Sequence, residues 1–198
     1  MIASFLTHYY EAERGPFRNI CDLSDNELNG LITVEKDAPT AFNRFALGKE
    51  FFEIRRSADD LLIEKYKEKF GVTPEIRPFY AVLGEFNRMT TMYRNGRSLR
   101  IELSHLGRTQ VTFMYPDHFV LVWSQGSFPP LPSLFPPPAR YAYEPIHGLL
   151  FSYDELAEVM RMYALEHRIT AARQMNLWVS SYVEAHIWDP NIHEKIST

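Results

Sequence analysis

The sequence predicts an α+β protein in which helices pack on one antiparallel sheet of four to five strands. Strand-like segments with short connections cluster in residues 78–124, and two capping boxes mark helix starts. The chain is 45% apolar and 14% aromatic, which is enough to build one core. We therefore expect a single domain over residues 1–198, mainly helical in residues 1–75.

The N-terminal third carries two helix patterns. Ser24 and Glu27 form a capping box, which predicts a short helix from Asp25 to about Leu31. The second helix is expected to begin near Pro39 or Thr40 and to end at Gly71. Its buried stripe follows helical spacing: Leu47, Phe51, Ile54, Ala58 and Leu61.

Residues 78–124 are predicted to form a β meander. The first segment is aromatic and β-branched, and the second alternates apolar with polar residues. The connections between the later segments are short, which makes their strands antiparallel neighbours. The four expected strands are residues 79–83, 99–103, 110–115 and 119–123.

A proline-rich connector is predicted over residues 126–147. Seven of the thirteen prolines lie between Phe128 and Pro145, so neither a helix nor a central strand is expected there. The segment is interpreted as a stiff connector packed over the sheet. The alternative is a lid, or a docking strip for a protein partner or a second copy of the chain.

The last part of the chain, residues 150–198, is predicted as a helix followed by a strand. Ser152 and Glu155 form the second capping box. Residues 182–188 fit both a helix and a strand, and their β-branched and aromatic content favours the strand. We expect this strand to be the fifth of the sheet, packed with the helix from residue 153 onward.

Several classes of protein are excluded or disfavoured by composition. No apolar run is longer than that of residues 119–123, which is far below the roughly 20 residues that cross a bilayer, so no membrane association is expected. No secretory signal pattern opens the chain. Cys21 is the only cysteine, which rules out an intramolecular disulfide and suits a reducing compartment. The expected location is the cytoplasm.

Motifs for phosphate loops, dinucleotide binding, nucleophile elbows and zinc proteases are absent, so neither a cofactor nor a metal is predicted. His8 and Glu11 would share a face if they lay on a helix, but two residues do not complete a zinc site. On the last strand Glu184 and His186 share a face, with Tyr182 beside them. These are acid/base candidates if that face borders a pocket, and ordinary surface residues otherwise.

Arginines provide the candidate anion-binding groups. Arg18 lies in a compact turn with Gly15, and it either clamps a carboxylate or phosphate or ties the N-terminal segment to the domain. Arg97 and Arg100 belong to an arginine-rich stretch at residues 86–110, which is either an anion site or a solvated hairpin. Apart from Tyr93, aromatic residues are not interleaved there, which argues against nucleic acid.

Four segments resemble a bacterial protein family of unknown function. They are residues 15–18, residues 74–84, residues 111–115 and residues 182–188. The family pattern ends its third segment with Tyr-Gly-Asp-Ser, whereas this chain reads Tyr-Pro-Asp-His up to His118. The resemblance implies no activity, ligand or catalytic residue.

The leading functional hypothesis is therefore a cytoplasmic binding or protein-interaction domain without catalytic activity. The alternative is a small enzyme that acts on an anionic substrate, with Arg18 as clamp and His186 or His8 as general base, aided by Glu184. A third hypothesis, a toxin-like enzyme that acts on nucleic acid through the arginine-rich stretch, predicts salt-dependent binding.

Overall fold

The computed structural model of the chain describes residues 2–124, 144–178 and 180–196. Within these residues, helices pack on one antiparallel sheet in the order β3-β1-β2-β6-β4-β5, which confirms the α+β class but with six strands rather than four to five. The strands are β1 (Phe5–Glu11), β2 (Phe79–Leu83), β3 (Gly96–Glu102), β4 (Val111–Met114), β5 (Phe151–Ser152) and β6 (Glu184–Ile187).

The strand order is not that of a meander, so this prediction was wrong. Strand β1 lies between β2 and β3, and β6 lies between β2 and β4. Consecutive strands of the predicted meander, β2 with β3 and β3 with β4, are therefore not neighbours in the sheet. A tight turn after Glu102 would have paired β3 with β4. Residues 103–110 instead connect β3 to β4 past the three strands that lie between them. The connection begins with a short 3-10 turn at Leu103–His105.

The helices in the described residues are α1 (Asp25–Glu35), α2 (Gly48–Phe70), α3 (Val120–Ser124), α4 (Tyr153–Met162), α5 (Leu165–Gln174) and α6 (Ile192–Ile196). Both predicted capping boxes are present, at Ser24 and at Ser152. Helix α2 ends at Gly71, whose φ of 72° is the left-handed conformation expected of a glycine cap.

Helix α2 begins later than predicted. The side chain of Asn43 accepts hydrogen bonds from the amides of Phe45 and Ala46, which starts a separate 3-10 turn at Arg44–Leu47. Gly48 then has a φ of 71°, a value that interrupts a right-handed helix. Arg44 is thereby held on a turn beside the sheet instead of on the helix.

The predicted strand at residues 119–123 is wrong, because this segment contains helix α3. A short run that is apolar at every position fits a buried strand and a buried helix equally well. Asp117 favours the helix, since its side chain accepts from the amide of Phe119 and its carbonyl from the amide of Val120. Val122 packs against Ile54 in α2.

The two faces of the sheet are covered by different helices. One face packs Phe113, Ala185 and Ile187 against Leu156 of α4 and Leu165 of α5. The opposite face is covered by α2 and α3, where the packed side chains include Leu62, Met114, Val120 and Trp188. The second face also carries most of the buried polar groups of the sheet.

Two further predictions need an addition or a delimitation. Residues 1–75, predicted as mainly helical, also contain the interior strand β1. The proline-rich connector lies outside the described residues except for 144–147. In the part of the chain that the structure describes, none of the helices combines the length and hydropathy needed to cross a bilayer.

Candidate functional site

Two adjoining cavities are bordered by helix α2 and by strands β1 and β2. The first, which we call the aromatic cavity, has a volume of about 430 Å³ and is lined by Trp178, Tyr182, Met89 and Phe42, among others. The second, the arginine cavity, also measures about 430 Å³ and is lined by Arg14, Arg18, Arg44 and Arg55 together with several polar residues. Arg44, Arg55 and Tyr80 line both cavities.

A buried network of carboxylates and imidazoles lies beneath the aromatic cavity. The Oε1 atom of Glu184 is 2.8 Å from Nδ1 of His118 and 3.0 Å from Nε2 of His186, and it also accepts from the His118 amide at 2.9 Å. Burial alone would raise the pKa of the Glu184 carboxyl, but His118 and His186 together hold it well below its ordinary value. Glu184 is therefore ionised, and both imidazoles donate to it.

The network continues to a second strand through hydroxyl and indole groups. Nδ1 of His186 is 3.1 Å from the hydroxyl of Thr112, and that oxygen accepts from the indole N–H of Trp188 at 2.9 Å. Burial lowers the pKa of His186, although Glu184 opposes the shift. A neutral His186 therefore donates to Glu184 and accepts from Thr112, so neither ring nitrogen is free for a ligand.

Asp59 of α2 closes the other side of the network and is fully buried. Its carboxylate accepts from the hydroxyl of Tyr80 at 2.5 Å and from the amide nitrogen of Asn19 at 3.0 Å, and Nε of Arg55 lies 3.4 Å away. Burial would raise the pKa of Asp59, but Arg55 leads a set of neighbours that lower it. Nε2 of His118 is 3.6 Å from Asp59.

His118 thus lies between two carboxylates with only one ring nitrogen hydrogen-bonded. Its Nε2 atom is buried and has no hydrogen-bond partner within the described residues. The ring itself packs on Tyr80, with centroids 4.5 Å apart, and borders the aromatic cavity. Of the ring nitrogens of His118 and His186, Nε2 of His118 is the one without a hydrogen-bond partner among the described residues.

Asp117 and Tyr182 form a separate pair in the wall of the aromatic cavity. The phenol of Tyr182 donates to the Asp117 carboxylate at 3.2 Å. Burial raises the pKa of Asp117 to about 6, and the negative charge of Glu184 adds to the shift. Tyr182, predicted as a binding residue, therefore borders the cavity with its hydroxyl already engaged.

Arg44 is the most unusual residue of the arginine cavity. Its guanidinium lies 5.0 Å from the ring centroid of Phe45 and 4.9 Å from that of Tyr93, and its Nε atom is buried without a hydrogen bond. Across the described residues, no carboxylate lies within 4.0 Å of it. Burial lowers the pKa of Arg44, and the positive charges of Arg14 and Arg55 act in the same direction.

The carboxylates that border the arginine cavity are each engaged by a neighbour. Glu11 lies 3.1 Å from Arg14 and 3.7 Å from Arg94, and Glu27 belongs to the capping box of α1. Glu13 accepts from the side chain of Asn95. Among the arginines of the cavity, Arg18 and Arg44 are the two without a carboxylate within 4.0 Å in the described residues.

The structure does not bring the predicted acid/base residues together. Glu184 and His186 share one face of β6, as predicted, but His8 lies on the other face of the sheet. This follows from the register, because Thr7 pairs with Val82 and Val82 pairs with Glu184, and adjacent residues of a strand face opposite ways. His8 is thus not a partner for His186.

His8 has a structural task instead. Its Nδ1 donates to the carbonyl of Tyr80 at 2.7 Å, and its Nε2 accepts from the amide of Phe17 at 3.0 Å. Burial lowers the pKa of His8 to about 4. The ring also stacks on Phe17, with centroids 4.8 Å apart, so His8 fixes the turn that carries Arg18.

The remaining predicted residues fall into two groups. Arg18 lines the arginine cavity, but Arg97 and Arg100 lie on the edge strand β3, away from both cavities. The helical pairing of His8 with Glu11 was wrong, because both lie on a strand and face opposite ways. Cys21 is buried, and burial raises the pKa of its thiol to about 12, so it is an unreactive thiol.

No set of three or more metal-ligating side chains in the described ranges is placed to hold a metal ion. Comparisons with protein-family models, with curated proteins and with solved structures each found no match to this chain.

Proposed function

We propose that this protein binds a small anionic molecule, whose negative group is held between Arg18 and Arg44 in the arginine cavity. One observation carries the proposal. Both arginines border the same cavity, and neither has a carboxylate within 4.0 Å in the described part of the chain, whereas Arg14 and Arg55 are paired.

The environment of Arg44 supports an external partner. Arg44 is half-buried, and a cation partly withdrawn from water is costly unless an anion or hydrogen-bond acceptors compensate it. The two aromatic rings offset only part of that cost. The planar N–H fork of a guanidinium group matches a pair of oxygens on a carboxylate or a phosphate, and Arg18 and Arg44 each offer one. A bound anion would supply the missing charge and hydrogen bonds.

The position of Arg18 supports the same reading. Its side chain is exposed, but its backbone belongs to the turn that His8 anchors through the Phe17 amide. An arginine on an anchored turn loses less conformational freedom on binding than one on a loose loop. The sequence predicted an arginine clamp at Arg18, and we propose Arg44 as the second arginine of that clamp.

The test is anion binding by the intact chain, with inorganic phosphate and citrate as probes. Calorimetry and thermal unfolding should both detect binding, because a ligand at a hundred times its Kd stabilises a protein by about 2.7 kcal/mol. Arg18→Gln and Arg44→Gln should each abolish the effect. Arg97→Gln is the matched control, since Arg97 is exposed, likewise has no described carboxylate partner and borders neither cavity.

The binding measurements give different results if the anion site exists and if it does not. Loss of binding in both cavity variants but not in Arg97→Gln would support the site. The absence of any stabilisation by either probe, or equal binding by all four proteins, would refute it. Without a probe, Arg44→Gln should be neutral or stabilising, because it removes a half-buried cation that has no carboxylate within 4.0 Å in the described residues.

One observation favours a second, catalytic use of the same region. His118 borders the aromatic cavity, is oriented by Glu184 and keeps its Nε2 atom without a partner in the described residues, which is the arrangement of an oriented general base. The test is hydrolysis of 4-nitrophenyl phosphate or 4-nitrophenyl acetate. Loss of this activity in His118→Gln, together with its retention in the exposed control His105→Gln, would support the catalytic use. Absence of turnover, or equal turnover in both variants, would count against it.

A further inference from the structure

The two cavities are neighbours with a common wall. Six residues border both, and they include the guanidinium groups of Arg44 and Arg55 and the rings of Tyr9, Phe51, Tyr80 and Tyr93. A molecule whose anionic group lies at Arg44 is therefore adjacent to the aromatic cavity. The contents of that second cavity indicate what else the molecule must carry.

The aromatic cavity is built to contact apolar groups. Trp178 packs edge-on against Phe86 at 5.6 Å, and Tyr182 stacks on Phe86 at 5.5 Å, which fixes both rings in the wall. Met89 packs against the same cluster. Rigid aromatic rings offer apolar contact area at a small entropic cost, and the flexible methionine side chain can adapt to the shape of a ligand.

Apart from the Nε2 atom of His118, the ionisable side chains that border only the aromatic cavity are already engaged. Asp117 accepts from Tyr182, Glu184 accepts from two imidazoles, and Arg88 donates to Asn176 while lying 4.6 Å from the Trp178 ring. The carboxylates would repel an anion. An anionic group is therefore favoured at Arg18 and Arg44, and the aromatic cavity is left for an uncharged part of the same molecule.

The volume limits the size of that part. An apolar cavity of about 150 Å³ is sufficient for benzene. The aromatic cavity, at about 430 Å³, has room for a larger group. Cavities of 300 to 1,000 Å³ are typical of sites for small organic ligands.

We infer that the ligand is an amphipathic organic anion, in which a carboxylate or phosphate is joined to an aromatic or bulky apolar group of one or two rings. The anionic end contacts Arg18 and Arg44, and the apolar end enters the aromatic cavity between Trp178 and Met89. The inference rests on the proposed function, because it extends the same anion site into the adjoining cavity.

The experiment compares three probes by calorimetry: inorganic phosphate, phenyl phosphate and 2-naphthyl phosphate. Each added ring should tighten binding, and 2-naphthyl phosphate should bind at least tenfold more tightly than inorganic phosphate. The variant Ala41→Trp adds bulk at an exposed position that borders only the aromatic cavity of the two. It should remove the gain from the rings and leave the affinity for inorganic phosphate unchanged.

Two further variants keep the test decisive. Trp178→Leu should reduce the gain in the same way by removing the ring. Val34→Trp is the matched control for added bulk, because Val34 is 70% exposed on α1 and borders neither cavity, and this variant should bind all three probes like the parent protein. Circular dichroism of each variant establishes that the fold is retained.

The results distinguish this inference from the proposed function. If all three probes bind equally and binding still requires Arg18 and Arg44, the anion site stands and the amphipathic ligand is refuted. If 2-naphthyl phosphate binds tightly but Ala41→Trp has no effect, its rings lie elsewhere and the inference is again refuted. If no probe binds, both proposals fail.

Discussion

The Nδ1 atom of His118 donates to Oε1 of Glu184 across 2.8 Å in the protein interior, and this bond ties the segment before α3 to the central strand β6. Both side chains are buried, with 1% of His118 and 8% of Glu184 exposed. Because Glu184 also accepts from His186, one carboxylate organises the polar interior beneath the aromatic cavity. We therefore expect a substitution of Glu184 to act mainly on the stability of the fold.

We expect Glu184→Gln to lower the free energy of unfolding by about 1.5–3 kcal/mol, since it removes the charge of a buried acceptor that takes hydrogen bonds from His118 and His186. Urea denaturation at pH 7 measures the change. The matched control is Glu102→Gln, which removes an exposed pair with Arg100 and should cost less than about 1 kcal/mol.

The effect of Glu184→Gln should also depend on pH. The folded-state pKa of Glu184 lies below its ordinary value of 4.5, so the carboxylate contributes stability above that pH. The contribution disappears as the pH falls through the folded-state pKa. The difference in free energy of unfolding between the parent protein and Glu184→Gln should therefore narrow below pH 4.5. A difference that does not depend on pH would contradict the ionised state of Glu184.

His8→Ala should destabilise the protein, because it leaves the carbonyl of Tyr80 and the amide of Phe17 without their partner. Each buried group left unpaired costs about 1–3 kcal/mol. The loss should also release the turn that carries Arg18, and thus weaken phosphate binding. His8→Asn, which offers both a donor and an acceptor, should retain more of the stability, and an equal loss in both variants would contradict these hydrogen bonds.

The pH dependence provides a second measurement on His8. Its pKa is about 4 in the folded state against 6.5 for an ordinary histidine, so the unfolded state binds a proton more readily between these values. The contribution of neutral His8 is complete above pH 6.5 and declines by about 3 kcal/mol as the pH falls to 4. His8→Asn should have a flatter stability curve over that range.

Local signals in the sequence predicted much of the fold. The capping boxes at Ser24 and Ser152 depend on residues three positions apart, and both occur as predicted. The alternation that favoured a last strand correctly placed Glu184 and His186 on one face. The order of the strands was not accessible, because pairing of β1 with β3 joins segments about 90 residues apart and no local pattern specifies it.

The candidate site was only partly predictable. Arg18 and Tyr182 do border the cavities, but Arg44, Asp59 and His118 were not identified. Asp59 could have been identified from the sequence. It lies between Ala58 and Leu62 on the buried side of α2, and a charged residue in such a position needs a partner. His118 carried no local signal, because its neighbours Glu184 and Asp59 are distant in the chain.

Asp117→Asn should stabilise the protein at neutral pH. The folded-state pKa of about 6 exceeds the ordinary 3.8, so ionisation of Asp117 costs more in the folded state, and the parent loses about 3 kcal/mol as the pH rises through this window. Asparagine still accepts from the Phe119 amide. Urea denaturation should show a growing advantage of the variant from pH 4 to 7, and a constant difference would contradict the raised pKa.

Gly96 and Gly30 form a matched pair for a test of the backbone that supports the cavities. A Cβ atom at Gly96 would lie 2.1 Å from the carbonyl oxygen of Thr90, which is backbone and cannot move aside, whereas a Cβ at Gly30 on α1 meets nothing within 4 Å. Gly96→Ala should therefore destabilise the protein, while Gly30→Ala should stabilise it by up to about 1 kcal/mol through helix propensity.

The consequence for ligand binding follows from the position of the contact. Strand β3 begins at Gly96, and the 3-10 turn Asn87–Met92 that it touches carries Met89 and Met92, which border the aromatic cavity. Gly96→Ala displaces this turn, so it should weaken the binding of 2-naphthyl phosphate more than the binding of inorganic phosphate. Equal weakening of both probes would mean that the turn supports the arginine cavity as much as the aromatic one.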